Sequence, residues 1–429
     1  MYVLGLAISP LVLAPASEYA GRSALYVLPF GIFLLLLVGT ALVQNLGGFL
    51  VLRLLSGLFA GVTIANFGGT IADLWPRHQV GYAMSVFLWA AVCGSPTGYF
   101  LLAFVAQYYS WRIVIWTILA LSGAFWLILV VVLYGFNNET RHSVILRRRV
   151  AKLHKQGQLG AHVPEDMQQQ SVGQLFRITL SRPFRFLATE AVIICAALYN
   201  GYLYGLSFLF NDAFTVVYGE QGYGFNIIGV GLTFLGVAVG VTVGPVTNIW
   251  QERHYRKAAM KAAVRTKDQD TGSVEQATRV SSIDTLPNVP EARLQLGQTA
   301  GVTLPISLFW FAWSANYPES IHWIAPVLAT VLFGWSFYTL ILMTYMYVED
   351  SYMIYSASAL AGVGLVRNLA GAGFPLFGGP MFKNEGVGNA GTILGGLAVA
   401  LIPIPFVLVK YGPRLRRRSR WASQHMDDE

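Results

Sequence analysis

The chain has 429 residues, of which 55% are hydrophobic and only 12% charged, about half the charged share usual in a soluble protein. Its apolar residues come in blocks of about 20 separated by polar breaks, the length that one helical bilayer crossing takes. That pattern excludes a soluble multidomain enzyme, and the net charge of +8 carries meaning through its placement between spans rather than as a sign of nucleic-acid binding.

In chain order the apolar runs predict spans at 1–16, 24–43, 48–72, 80–106 and 111–136. A polar stretch at 137–185 follows, then spans at 186–210, 225–250, 302–315, 322–347, 355–377 and 391–409. The expectation is an all-α membrane protein with about 11 transmembrane helices, the first one short. With the residues after 409 in the cytoplasm, all 29 Lys and Arg fall on that side except Arg112, Lys383 and the in-span Arg53 and Arg367. So lopsided a split places the C-terminus in the cytoplasm.

An odd number of spans then puts the N-terminus outside, without a charged leader. Ala14-Pro15-Ala16 imitates a signal-peptidase site, but no Lys or Arg precedes the apolar run. The simpler expectation is that a first span and a cytoplasmic tail are missing before Met1, so that residues 1–136 form an N-terminal bundle of spans two to six. Residues 137–185 are then a cytoplasmic central loop. The second bundle takes spans seven and eight at 186–250 and spans nine to twelve at 299–410, with a basic cytoplasmic tail at 411–429. Between them 251–298 is polar and mixed in charge, and is expected to be disordered apart from a short surface helix at its start. Cys93 and Cys195 sit inside apolar blocks as small hydrophobes. No metal cluster, disulfide framework or cofactor is expected.

Counted this way, 80–106 is span five and 355–377 span eleven, equivalent positions in two six-span repeats. Each carries a Gly and Pro interruption: Gly94-Ser95-Pro96-Thr97-Gly98 in one, Gly371-Ala372-Gly373-Phe374-Pro375 in the other. Such breaks mark bends or tight helix contacts, and a matching pair points to alternating access. The competing reading is two independent packing kinks. After the first span stands Ser17-Glu18-Tyr19-Ala20-Gly21-Arg22, an acid and a base four residues apart in a tight turn; Gly244-Pro245 running to Glu252-Arg253 is a weak echo.

At these residues the chain resembles the major facilitator superfamily, in particular its fungal twelve-span drug:proton antiporters. The Ser17, Glu18, Gly21 and Arg22 turn is similar to that family's cytoplasmic latch between spans two and three. Arg53-Leu54-Leu55-Ser56-Gly57-Leu58-Phe59-Ala60-Gly61 is similar to its span-four motif, and Gly94, Pro96 and Gly98 to its span-five antiporter motif. Asn138-Glu139-Thr140 resembles the Pro-Glu-Thr stretch after span six, with Asn138 in place of proline. Pro290-Glu291-Ala292-Arg293-Leu294, His322-Trp323-Ile324-Ala325-Pro326 and Phe374-Pro375-Leu376-Phe377 match in the second half. The likeness covers nearly the whole chain and implies the major facilitator fold, two pseudo-symmetric helical bundles, here without span one.

An arginine inside a span costs at least about 2.5 kcal/mol on insertion scales, so it should face the bundle interior with a partner. The resemblance implies that Arg53 takes part in proton coupling. Arg367, beside Asn368, is a candidate lining or gating residue, with a structural cap as the alternative. Candidate coupling acids are Glu190 and Asp212, at the two ends of span seven, where snorkelling to the interface competes as a role. Between them Tyr199, Asn200, Tyr202 and Tyr204 offer an amphipathic wall, which Trp310, Trp313, Tyr338 and Tyr345 extend. Phe374 and Pro375 join the cavity candidates.

The reading is a secondary active transporter that exports amphipathic organic compounds such as drugs, toxins or secondary metabolites against protons, by alternating access. Its partners are a small organic substrate, protons and the lipid bilayer, with no nucleic acid, and the chain is expected to act as a monomer in the plasma membrane, the vacuolar membrane remaining open. There is no GxxxxGK[ST] stretch for a nucleotide, and no span pairs His or carboxylates as an enzyme would. Polyamine or nutrient transport stays open, as does a transport-incompetent homologue or membrane sensor.

Overall fold

A bilayer offers backbone N–H and C=O groups no water, so an apolar chain that crosses it has to satisfy them within each segment, as helix. The computed structural model follows that rule: among the described residues (1–75, 79–135, 139–156, 172–220, 222–269, 287–419 and 421–422) all regular structure is helical. In chain order the helices are α1 (Tyr2–Ala20), α2 (Arg22–Leu42), α3 (Leu46–Ala60), α4 (Val62–Leu74), α5 (Val80–Tyr108), α6 (Trp111–Val130), α7 (His142–Lys155), α8 (Val172–Thr189), α9 (Ala191–Tyr218), α10 (Ile227–Gln269), α11 (Gln295–Ala315), α12 (Ile324–Tyr352), α13 (Ser356–Leu401) and α14 (Pro403–Arg418). Proline stands inside α2, α5, α8, α10, α11 and α13 without ending them, as neighbouring helices allow in membranes.

Eight described stretches are long and apolar enough to cross a membrane. One of them, Ser356–Arg418, has 63 residues. As straight helix it would be about 94 Å long, three times the hydrocarbon thickness. It turns back instead at Gly386, whose φ of 77° suits glycine. Gly378 before the turn lies against Asp212 of α9, while the Leu394 carbonyl after it accepts from Tyr202 nearly three turns earlier on α9, at 2.6 Å. Two legs therefore run antiparallel along one helix, matching the expected spans eleven and twelve. The short apolar Tyr2–Leu13 and α11 fall below the length or hydropathy of the other eight.

The chain forms two compact units, one of Met1–Trp75 with Tyr109–Phe186, the other of Pro76–Tyr108 with Leu187–Glu429. Helix α5, which the sequence assigns to the N-terminal bundle, packs within the second unit along α10. There Ala103 fills the space beside Gly231, and Tyr99 stacks on Phe234 with ring centroids 4.6 Å apart. The polar segments carry helices where they are described: 137–185 contains α7 and most of α8, and the start of 251–298 is the end of α10. Helix α10 continues to Gln269 because Gln251 and Glu252 are buried and bonded, and Pro290–Leu294 forms a 3-10 turn with Arg293 inside.

Glycines set the closest helix contacts. On α10, Gly236, Gly240 and Gly244 repeat every four residues on one face, and a Cβ at each would overlap α12 at Val327, Val331 and Tyr338 respectively. In the first unit Gly57 of α3 lies under the Tyr2 carbonyl of α1, and Gly5 under that of Leu54. Small residues at such spacing let two backbones meet, which is what holds helices together where lipid is as apolar as leucine. By contrast Gly94, Gly98 and Gly373 of the paired interruptions face open space, with no neighbour within 4 Å of where a Cβ would stand. Helix α5 runs unbroken through Pro96, so the expected tight contact at span five is not made by these glycines among the described residues.

Gly240→Ala is expected to destabilise the protein by about 1–3 kcal/mol through overlap with the Val331 backbone, although alanine is intrinsically the better helix former. Gly396→Ala, on an open face, should be neutral or mildly stabilising. Melting temperatures of the detergent-solubilised variants check this, and equal behaviour of the two would contradict the seam.

Candidate functional site

Helices α9, α12 and α13 bring the predicted polar and aromatic residues of the second half to one place. Arg367 of α13 is 3% exposed. It donates through Nη1 to the Tyr345 hydroxyl of α12 and through Nε to Asn368 Oδ1 at 3.4 Å, while its Cζ lies 4.3 Å from the ring centroid of Tyr204 on α9. Tyr204 also packs against Phe208 and Phe337. One turn before it Asn200, fully buried, donates to the Ala196 carbonyl at 2.8 Å and keeps an unpartnered Oδ1. The seam beneath is close: Phe374 lies over Gly205, and Val366 and Ala370 over Gly201.

Other candidates fall outside this cluster. Tyr199 is buried with its hydroxyl toward Gly301, and Tyr202 is tied to Leu394. Tyr338 donates to the Ser85 carbonyl of α5 at 2.7 Å. Trp310 is 43% exposed and stands with Val302, Ile306 and Trp313 on one exposed stripe of α11, while Leu304, Leu308 and Phe311 pack inward. Trp310 thus stands on the side of α11 away from its packed face. Pro375 is half-buried on the following turn of α13.

The coupling candidates are also separated. Arg53, half-buried on α3, lies over the Phe49 ring at 5.3 Å. Glu190 precedes α9 as its N-cap residue and accepts from the Tyr352 hydroxyl at 2.9 Å, buried. Asp212 is not at the end of its helix, since α9 continues to Tyr218; it borders Gly378 of α13.

At the helix ends two arginine clusters stand out. In the first unit Arg22 donates from Nε to Asp73 of α4 at 2.9 Å, and its backbone N–H, with those of Thr140 and Arg141, donates to Glu139 Oε1. Gly21, at φ 94°, is required here because a Cβ would meet the Glu139 carboxylate. The side chains of Ser17 and Glu18, and all of Asn138, lie outside the described residues. The partner found for Arg22 is thus Asp73, one residue past the end of the expected span.

In the second unit Arg293 pairs with Glu252 of α10 and, at 2.9 Å, with Asp350 of α12, while its Cζ sits 3.6 Å over Tyr255. Burial alone would lower its pKa, but the charges of Asp350 and Glu252 outweigh that and hold it above the ordinary arginine value. Arg22 begins α2 and Asp73 ends the α3–α4 span; Arg293 precedes α11 and Asp350 ends α12. These are the same positions six spans apart. The weak echo at Glu252-Arg253 is real for Glu252, whereas its base is Arg293, visible in the sequence only as part of Pro290–Leu294. A bidentate pair adds α14 to this cluster, Arg416 donating from Nε to Glu291 Oε1 at 3.1 Å and from Nη2 to Oε2 at 2.9 Å.

Residues 1–375 match the family model described as Major Facilitator Superfamily. Among curated proteins the chain is 32% identical over 423 residues to the multidrug transporter TPO1_2 of Candida glabrata, covering 98% of this chain and 68% of that protein. It is 34% identical to the MFS-type efflux pump MFS2 of Trichophyton rubrum, over 99% of this chain and 67% of the relative. The efflux pump atB of Aspergillus terreus is 31% identical, over 97% and 83% respectively. In fold the chain is similar to the proton:xylose symporter XylE, with a TM-score of 0.60 at 17% identity over 96% of this chain and 84% of that one.

Side-chain exposure at the Arg22–Asp73 pair is 7% and 20%, so removing one partner leaves the other poorly solvated. Arg22→Ala is expected to cost about 1–3 kcal/mol, and Asp73→Ala on top of it much less than it does alone. A double-mutant cycle on thermal unfolding checks this; additive costs would mean that the pair carries no coupling.

Proposed function

We propose that this chain, which belongs to the major facilitator superfamily, exports amphipathic organic compounds in exchange for protons by alternating access. That it is a membrane transporter and not an enzyme follows from the family and from relatives named as multidrug transporters and efflux pumps. The observation that carries the finer reading is the cluster of half-buried Tyr204 with buried Tyr345, Asn200 and Arg367. Aromatic surface with few fixed polar groups suits a flat, largely apolar molecule better than a sugar or an inorganic ion.

In this reading Arg22 with Asp73 and Arg293 with Glu252 and Asp350 hold the cytoplasmic ends of each bundle rigid, so that the bundles rock as bodies about a central site. Arg53 takes part in proton coupling. Of the two acids, Glu190 is engaged by Tyr352 at a helix start and serves structure. Asp212, on a spanning helix and with no cation pairing it among the described residues, is the better coupling acid. The C-terminus is cytoplasmic, the membrane is the plasma membrane, and the working unit is the monomer.

The test is transport in proteoliposomes under an imposed pH gradient, with amphipathic fluorescent dyes of either charge outside and a pH-sensitive dye within. Gradient-driven dye movement that a protonophore abolishes is the expected result. Asp212→Asn should lose that drive while dye-for-dye exchange persists. Dye movement indifferent to the gradient would overturn proton coupling, and no movement of any dye would favour a transport-incompetent homologue.

A further inference from the structure

Arg367 differs from the other buried arginines in what answers it. Arg22 and Arg293 each meet carboxylates. Among the described residues no carboxylate pairs with Arg367, and the groups facing it are neutral: the Tyr345 hydroxyl from α12, the Tyr204 ring from α9, and Asn368 on its own helix. A guanidinium carries five N–H donors. Two are used in these contacts, and no hydrogen bond takes up the rest among the described residues. Tyr345, having accepted from Arg367, shows no acceptor there for its own O–H. A cation with several undirected donors therefore sits at 3% exposure among phenols. Asn200 adds an unpartnered acceptor on the same face of α9, one turn from Tyr204.

A buried charge is ordinarily balanced by a counter-charge. Here the described residues supply the donors and the aromatic bed but not the anion. We propose, resting on the reading of this chain as a transporter of amphipathic compounds, that Arg367 and Tyr345 bind the anionic group of the cargo. The substrate class is then an organic anion, a carboxylate or sulfonate on an aromatic or apolar frame. The Tyr204 and Phe337 rings, with centroids 6.0 Å apart, offer that frame its surface, and the Asn200 oxygen suits a hydroxyl on it. The same fixed charge disfavours polyamines and other cations, because no carboxylate in the cluster offsets it.

Two dyes on one xanthene frame separate the cases: fluorescein methyl ester, an anion, and rhodamine 123, a cation. Equilibrium binding of each to the full chain in detergent is measured by fluorescence polarisation, beside the liposome assay. The wild-type protein should bind the anion at least about tenfold more tightly than the cation, and Arg367→Gln should weaken the anion by about ten- to a hundredfold while leaving the cation within about twofold, as loss of a charge-assisted contact implies. Arg367→Lys should retain most of the preference. Should Arg367→Gln not fold, Tyr345→Phe, which removes only a hydroxyl, should weaken the anion about three- to tenfold.

Equal affinity for the two dyes, binding of neither, or a loss that Arg367→Gln imposes on both alike would overturn the anion subsite. So would an anion affinity that neither Arg367→Gln nor Tyr345→Phe changes. Selective anion binding without movement of either dye across the membrane would uphold the subsite and overturn the transport reading instead.

Discussion

A guanidinium inside a hydrocarbon layer has to bring replacement solvation with it, at a cost of at least about 2.5 kcal/mol if it does not. The way this chain meets that demand organises its polar interior. At the ends of helices the answer is carboxylate: Arg22 ties the start of α2 to Asp73 at the end of α4, and Arg293 ties the approach to α11 to Glu252 and Asp350. Within α13 the answer is aromatic, a phenol and a ring face at Arg367. Pairs of the first kind close on themselves and stiffen the elements they join. The second kind leaves hydrogen-bonding capacity in hand, which is what a ligand needs.

The same absence of water bears on the backbone. Because lipid competes equally well for apolar side chains, helices in a bilayer adhere through close van der Waals contact, and the glycine seams of α10 on α12 and α3 on α1 supply it. Such seams make rigid groups of helices, and rigid groups are what a rocking transporter moves. In the proposed mechanism the two devices act together: glycine seams hold helices in rigid groups, and the buried arginines divide groups that are fixed by carboxylates from those left available for cargo.

Much of this is legible in the sequence. Block length and apolarity lead to an all-α membrane fold, and the turn at Gly21-Arg22 with the stretch at Pro290–Leu294 leads to the superfamily, because these signals are local and periodic. What stays hidden depends on distance in sequence. Asp73 and Arg22 are 51 residues apart, Arg293 and Asp350 57, and no spacing rule connects them. The fold-back at Gly386 looks like any glycine-rich stretch. Composition does not tell which side of α11 Trp310 takes, a distinction made by the packing of Leu304, Leu308 and Phe311. The segment after Trp250 reads as polar and unstructured, yet two of its polar residues, Gln251 and Glu252, are buried because their partners come from beyond residue 290.

The proposal that two rigid bundles alternate about a shared site is probed most directly by the distance between spin labels at Leu74, on the end of α4, and Arg253, on α10, both exposed. With Cys93 and Cys195 replaced, pulsed dipolar spectroscopy in lipid nanodiscs would be recorded at two pH values, with and without a bound dye. Rocking of the bundles predicts two distance populations whose ratio shifts with pH and with dye, while label pairs placed within either bundle stay fixed. A single distance that neither protons nor dye alters, or distances within a bundle that shift as much as those between bundles, would contradict it.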